Sequence, residues 1–124
     1  MRTLTPMTVL RVVTNIASDD TSDAIGFYRD LLGLEPVMDL DWIVTYSSGE
    51  SMTTQISIAT EGGSGTPVPD ISIEVDNVEE IYKRAKKANL EITYELTDEP
   101  WGAQRFFVRD PFGKTVNILQ HNSN

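Results

Sequence analysis

Residues 8–16, Thr-Val-Leu-Arg-Val-Val-Thr-Asn-Ile, are rich in β-branched types and predict a first strand. After the possible N-caps Ser18-Asp19-Asp20-Thr21-Ser22, the apolar residues Ala24, Phe27, Tyr28, Leu31 and Leu32 recur at helical spacing. Gly33 offers a left-handed stop, and Pro36 keeps the helix from resuming. Three extended segments follow near 35–40, 42–48 and 53–60, and then the Gly- and Pro-rich stretch 61–68, which reads as a linker.

Beyond the linker the same order returns. Ile71, Ile73 and Val75 alternate with Ser72, Glu74 and Asp76, the pattern of a strand with one apolar face. Asn77-Val-Glu-Glu80 opens a second helix with a capping residue, and Val78, Ile81, Tyr82, Ala85 and Ala88 form its stripe. Asn89 stands where Gly33 stood, and Leu31-Leu32-Gly33-Leu34-Glu35 lies alongside Lys87-Ala88-Asn89-Leu90-Glu91. Strands are predicted near 91–97, 103–109 and 114–121, with a turn at Asp110-Pro-Phe-Gly113. The expectation is a single α+β domain over 1–124, made of two β-α-β-β-β modules at 8–60 and 69–121. Together these would form an eight-stranded, cup-shaped sheet with one covering helix per half.

Composition narrows the partners. The chain has 124 residues, enough to bury a self-sufficient core, and its 19 acidic against 10 basic residues give a net charge of −9. Phosphate backbones and anionic lipid surfaces would be repelled, so neither nucleic acid nor membrane is expected as a partner. With no cysteine, disulfides, thiolate metal sites and thiol nucleophiles are excluded. With no apolar leader or spanning run, a cytoplasmic location is expected.

Phe27-Tyr28-Arg29-Asp30-Leu31-Leu32-Gly33-Leu34, the strand Ile71-Ser-Ile-Glu-Val-Asp-Asn77, and Phe107-Val-Arg-Asp-Pro-Phe-Gly113 resemble the vicinal oxygen chelate superfamily. This superfamily includes glyoxalase I, extradiol dioxygenases and the fosfomycin and bleomycin resistance proteins. The resemblance implies a cup, usually closed with the help of a dimer. In metal-dependent members, the cup holds a divalent ion on His, Gln or Glu side chains of the first, fourth, fifth and eighth strands. Carried onto this chain, those positions are Val12, Ser57 (or Gln55 after a two-residue slip), Asp70 and Asn117. Only Asp70 is a good ligand, and a stable site needs about three. No metal and no other cofactor is therefore expected.

The remaining candidates bear on binding. Glu74 and Asp70 sit about 13 Å apart along an extended strand, too far for a paired-carboxylate mechanism. Glu74 is free to orient a ligand or to pair with Arg105 or Arg109. The aromatics outside the helix stripes are Trp42, Tyr46, Trp101 and Phe107, which suit stacking on a planar group. Arg105 alternates with Phe107 and could meet an anion, while Arg109 beside Asp110 could brace the turn. His121 is the only histidine, suited to act as a general base or a rescue metal ligand. No catalytic residue is assigned. The expected ligand contacts are Trp42, Tyr46, Gln55, Ser57, Asp70, Glu74, Trp101, Arg105, Phe107 and Asn117. The expected function is metal-independent binding of a planar or aromatic small molecule by a homodimer. The competing expectation is a metal-dependent lyase, isomerase or dioxygenase.

Overall fold

The computed structural model describes residues 5–49 and 55–122. Its elements follow the expected order: β1 (Val9–Ala17), a helical segment, β2 (Glu35–Asp39), β3 (Ile43–Ser47), β4 (Gln55–Ala59), β5 (Ile71–Val75), α1 (Val78–Lys87), β6 (Ile92–Glu99), β7 (Ala103–Arg109) and β8 (Thr115–His121). The fold is α+β with eight strands. Residues 53 and 54, the start of the predicted fourth strand, lie outside the described residues. The chain forms two compact units, one of residues 13–68 and one of residues 1–12 with 69–124. No helix of the described residues is long and apolar enough to cross a membrane.

In the unit of residues 13–68 the strand order is β2-β3-β4-β1, with β1 parallel to β4 and the other pairs antiparallel. Its core gathers Ala24, Val44, Tyr46 and Ile58, with Tyr28, Leu34 and Ile56 packed against them. The helical segment departs from the prediction. It is a 3₁₀ turn at Thr21–Ala24, capped by Asp20 through the Ser22 amide, followed by π-helical Gly26–Leu31. Glycine is a poor helix former, and at the junction it accompanies a change of winding. The wider turn rotates the stripe, so Ala24 and Tyr28 face the core whereas Phe27 and Leu32 are exposed. Gly33 closes the segment at φ +77°, and the amide of Leu34 reaches back to the carbonyl of Tyr28.

The linker 61–68 is a folded knot rather than a loose tether. The Gly62 amide donates to the Thr66 carbonyl at 2.7 Å, the Thr66 amide to the Gly63 carbonyl, and the Gly65 amide to the Glu61 carboxylate. A Cβ on Gly62 would collide with the Pro67 carbonyl and the Thr66 hydroxyl.

In the other unit the order is β5-β8-β7-β6, with β5 parallel to β8, and the first residues of β1 lie beside β5. Helix α1 begins as predicted, with the Asn77 side chain accepting from the Glu80 amide, and ends at Asn89, φ +57°. Val78, Ile81, Tyr82 and Ala85 of its stripe pack on Val75, Phe106, Val116 and Ile118, whereas Ala88 is exposed. One face of this sheet is thus covered by α1. The opposite face is free of helix among the described residues.

Candidate functional site

Strand register sets the helix-free face of the 69–124 unit in rows. Ser72 of β5 is paired with Asn117 of β8, Asn117 with Phe107 of β7, and Phe107 with Tyr94 of β6. In the next row Glu74 is paired with Leu119, Leu119 with Arg105, and Arg105 with Thr97. Side chains two apart on a strand share a face, so these rows are neighbours.

The Asn117 side chain is 7% exposed. Its Nδ2 donates to Ser72 Oγ at 3.1 Å, and its Oδ1 is buried with no hydrogen-bond partner among the described residues. A buried acceptor left unpaired costs about 1–3 kcal/mol. Asn117 is therefore an amide with one half satisfied and the other half unpaired among the described residues.

Arg105 is fully engaged within the protein. Its Nε and Nη2 both donate to Glu99 Oε2 at 2.7 Å, and the two side chains are 4% and 2% exposed. The Tyr94 hydroxyl donates to the same carboxylate at 3.1 Å. The guanidinium lies 4.8 Å from the Phe107 ring centroid, 4.9 Å from that of Trp101 and 5.2 Å from that of Tyr94. The charge expected to meet a ligand anion is thus neutralised by Glu99, and Trp101 and Phe107 present ring faces to Arg105. Glu99 and Tyr94 escaped the sequence reading. The available signal was the near-symmetric placement of Glu99 and Arg105 about the Trp101-Gly102 turn.

Glu74 pairs with neither Arg105 nor Arg109. Its carboxylate accepts from Arg11 Nε of β1, and its other oxygen lies 2.9 Å from His121 Nδ1. Burial pushes the Glu74 carboxyl up, but the hydrogen bonds with His121 and Arg11 outweigh it, holding the group below its usual 4.5. Arg109 pairs with Glu91 and donates to the Gly113 carbonyl at 3.0 Å, bracing the turn. Asp70 is an exposed carboxylate that accepts from the Thr115 amide at 2.8 Å, fixing the start of β8.

In the unit of residues 13–68, Ser57 lies buried against Thr45 with 2.7 Å between their hydroxyl oxygens, and Gln55 begins β4 opposite Ser47. Trp42 sits in the β2–β3 turn, where its carbonyl accepts from the Thr60 amide. Tyr46 lies on the face of β3 opposite Thr45, and so opposite Ser57. It pairs with Ile56 and packs beside Tyr28 in the core beneath the helical segment, because Val44 and Tyr46 alternate with Thr45.

The metal-bearing positions of the resemblance do not supply a donor set. Val12 is an exposed apolar residue. Ser57 is hydrogen-bonded to a hydroxyl, Asp70 holds a backbone amide, and Asn117 bonds Ser72. Among the described residues no three His, Cys, Asp or Glu side chains cluster so as to hold a metal ion. The residues do not fit the ion, and no chemistry is derived through it.

The sequence model of the Glyoxalase/Bleomycin resistance protein/Dioxygenase superfamily matches residues 9–118. The chain belongs to that superfamily. Solved structures agree on the fold. An NAD-dependent benzaldehyde dehydrogenase structure from Legionella pneumophila is similar at TM-score 0.72 and 15% identity, over 90% of this chain and 100% of that one. A glyoxalase/bleomycin resistance protein/dioxygenase superfamily member from Vibrio splendidus 12B01 gives 0.61 and 22%, over 91% and 99%. A methylmalonyl-CoA epimerase from Mycobacterium tuberculosis gives 0.61 and 16%, over 93% and 88%. No curated protein matches the chain. At such identities the likenesses bear on the superfamily fold and leave activity to the side chains.

Proposed function

We propose that this superfamily member binds a small, planar or aromatic molecule on the helix-free face of the β5-β8-β7-β6 sheet, without a metal ion. The observation that carries the reading is the buried, unpartnered Oδ1 of Asn117 beside Phe107. A flat apolar body resting near that ring brings a ligand N–H or O–H to the open acceptor, the combination of apolar wall and single placed polar group found in small-molecule sites. Glu74, fixed by Arg11 and His121, supplies a second acceptor on the same face. The expected homodimer belongs to the same proposal, supported by the exposed Leu10 and Val12 of β1.

The test is a thermal-shift screen of planar natural products and keto-aldehyde–thiol adducts, run on the wild type and on Asn117→Leu. A true ligand at 100 times its dissociation constant adds about 2.7 kcal/mol to the wild type. It should add little to the variant, whose folding does not need the missing donor. Equal shifts in both proteins would remove Asn117 from the site. A stoichiometric divalent metal in the purified protein would overturn the metal-free reading. Sedimentation showing only monomer at every concentration would remove the dimer.

A further inference from the structure

Glu74 is held on both of its oxygens. Arg11 Nε of β1 donates to Oε1, and His121 Nδ1 of β8 stands 2.9 Å from Oε2. The Glu74 side chain is 16% exposed and that of His121 41%. Burial raises the Glu74 carboxyl, and the hydrogen bonds with His121 and Arg11 more than reverse this, so at neutral pH it is an ionised group that only accepts. The His121 nitrogen facing it must then carry a proton. In the neutral imidazole this leaves the lone pair on Nε2, for which no partner is present among the described residues. A carboxylate that fixes the tautomer and orientation of an imidazole in this way makes the far nitrogen a base.

Strand parity puts that base on the helix-free face. Asn117, Leu119 and His121 alternate with Ile118, which belongs to the core under α1. Across the sheet His121 is paired with Ala103, a methyl-sized neighbour that directly follows the Trp101-Gly102 turn. The Asn122 amide donates to the Gly102 carbonyl at 2.8 Å, tying the end of β8 to that turn. Trp101 is half-buried, with its ring against the Arg105 guanidinium of the same face. This end of the face therefore joins an oriented base to an aromatic wall.

From this arrangement we infer a general-base centre that hydrolyses aryl esters, with His121 as its catalytic residue and Glu74 as its positioning residue. The inference goes beyond the binding reading, in which Glu74 serves only as an acceptor. No protein hydroxyl meets the imidazole among the described residues, so the proton it takes is that of a water molecule. That proton passes to Nε2 as the water oxygen bonds to the acyl carbon. The bond from this carbon to the aryl oxygen then breaks with its electron pair on the oxygen, and the imidazolium returns the proton to the departing phenolate. The products are a carboxylic acid and a phenol. An aryl ester suits the site because its flat leaving group matches Trp101. A phenolate, whose acid ionises near pH about 10, also departs more readily than an alkoxide.

The test follows p-nitrophenyl acetate with wild type, His121→Gln and Glu74→Gln at pH about 8, above the ordinary imidazole value of about 6.5. N-acetylhistidinamide at equal concentration is the solvated reference. Long-range proton–nitrogen NMR of the imidazole should find the wild-type proton on Nδ1. Glu74→Gln, whose amide donates as well as accepts, should lose that preference. Wild type should hydrolyse the ester at least about tenfold faster than the reference, and His121→Gln should fall to the buffer rate. Glu74→Gln should lose about tenfold or more while its amide spectrum shows the fold retained. The wild-type rate should drop in deuterium oxide, with no acetyl group found on His121 by mass spectrometry. A proton on Nε2, a rate equal to the reference, an unchanged rate in either variant, or an acetylated His121 would each overturn the inference. The thermal-shift response of Asn117→Leu reads the binding proposal separately, so the failure of one is distinguishable from the failure of the other.

Discussion

Glu99 Oε2 receives both Nε and Nη2 of Arg105 at 2.7 Å, with neither side chain more than 4% exposed. Removing one member of a buried pair leaves the other charge without compensation, at a cost of about 3–5 kcal/mol. Glu99→Gln should therefore lose several kcal/mol in urea denaturation, with an unchanged slope. Glu99→Leu combined with Arg105→Met should recover much of that loss. Additive losses from the two positions would show that the pair is not coupled.

Acid should weaken the protein partly through Glu74. Because its folded-state titration lies below its usual 4.5, its contribution is present above that value and is lost as pH falls through the lower one. Between neutral pH and the acid end, wild type should lose stability more steeply than Glu74→Gln, the two curves converging at low pH. Urea midpoints measured at intervals from neutral pH to pH about 3 check the sign. A wild-type curve parallel to that of the variant would contradict the assignment.

The folded linker makes its own prediction. Gly62 has no room for a Cβ beside the Pro67 carbonyl and the Thr66 hydroxyl, and the obstructing groups include backbone. Gly62→Ala should cost about 1–3 kcal/mol, read as a lower urea midpoint. Gly26→Ala, where nothing lies within 4 Å of the added atom, should cost nothing or stabilise slightly.

Much of this structure was legible in the chain. The strands carry β-branched residues in period two, and Gly33 and Asn89 mark both helix ends with left-handed φ values of 77° and 57°. The stripe of the helical segment between β1 and β2 was misphased because the i, i+4 template assumes 3.6 residues per turn, and the π-helical winding of Gly26–Leu31 moves Phe27 outward. Alternation along β5 set Ser72 and Glu74 on the face opposite the apolar Ile71, Ile73 and Val75 without coordinates. Glu99 and Arg105 lie in the regular stretch of the hairpin beside the Trp101-Gly102 turn, where Glu99 pairs with Ala103 and Arg105 with Thr97, and their near-symmetric placement about that turn was not taken up in reading the chain. Nor could sequence distance suggest that Arg11 meets Glu74 across 63 positions. Tyr46 was recoverable, since Val44 and Tyr46 share the parity that faces a core.

The strand order also governs how the nascent chain can fold. In the unit of residues 13–68 every strand has been synthesised once residue 59 is made, and the order β2-β3-β4-β1 can close at that point. In the other unit the last strand, β8, lies between β5 and β7. Until residues 115–121 emerge from the ribosome, that sheet lacks its middle, and the edges of β5 and β7 stand open to pairing with other chains. The elongating polypeptide is thus most exposed to aggregation just before β8 emerges, and ribosome-stalled chains ending before Thr115 are where chaperone dependence should be greatest.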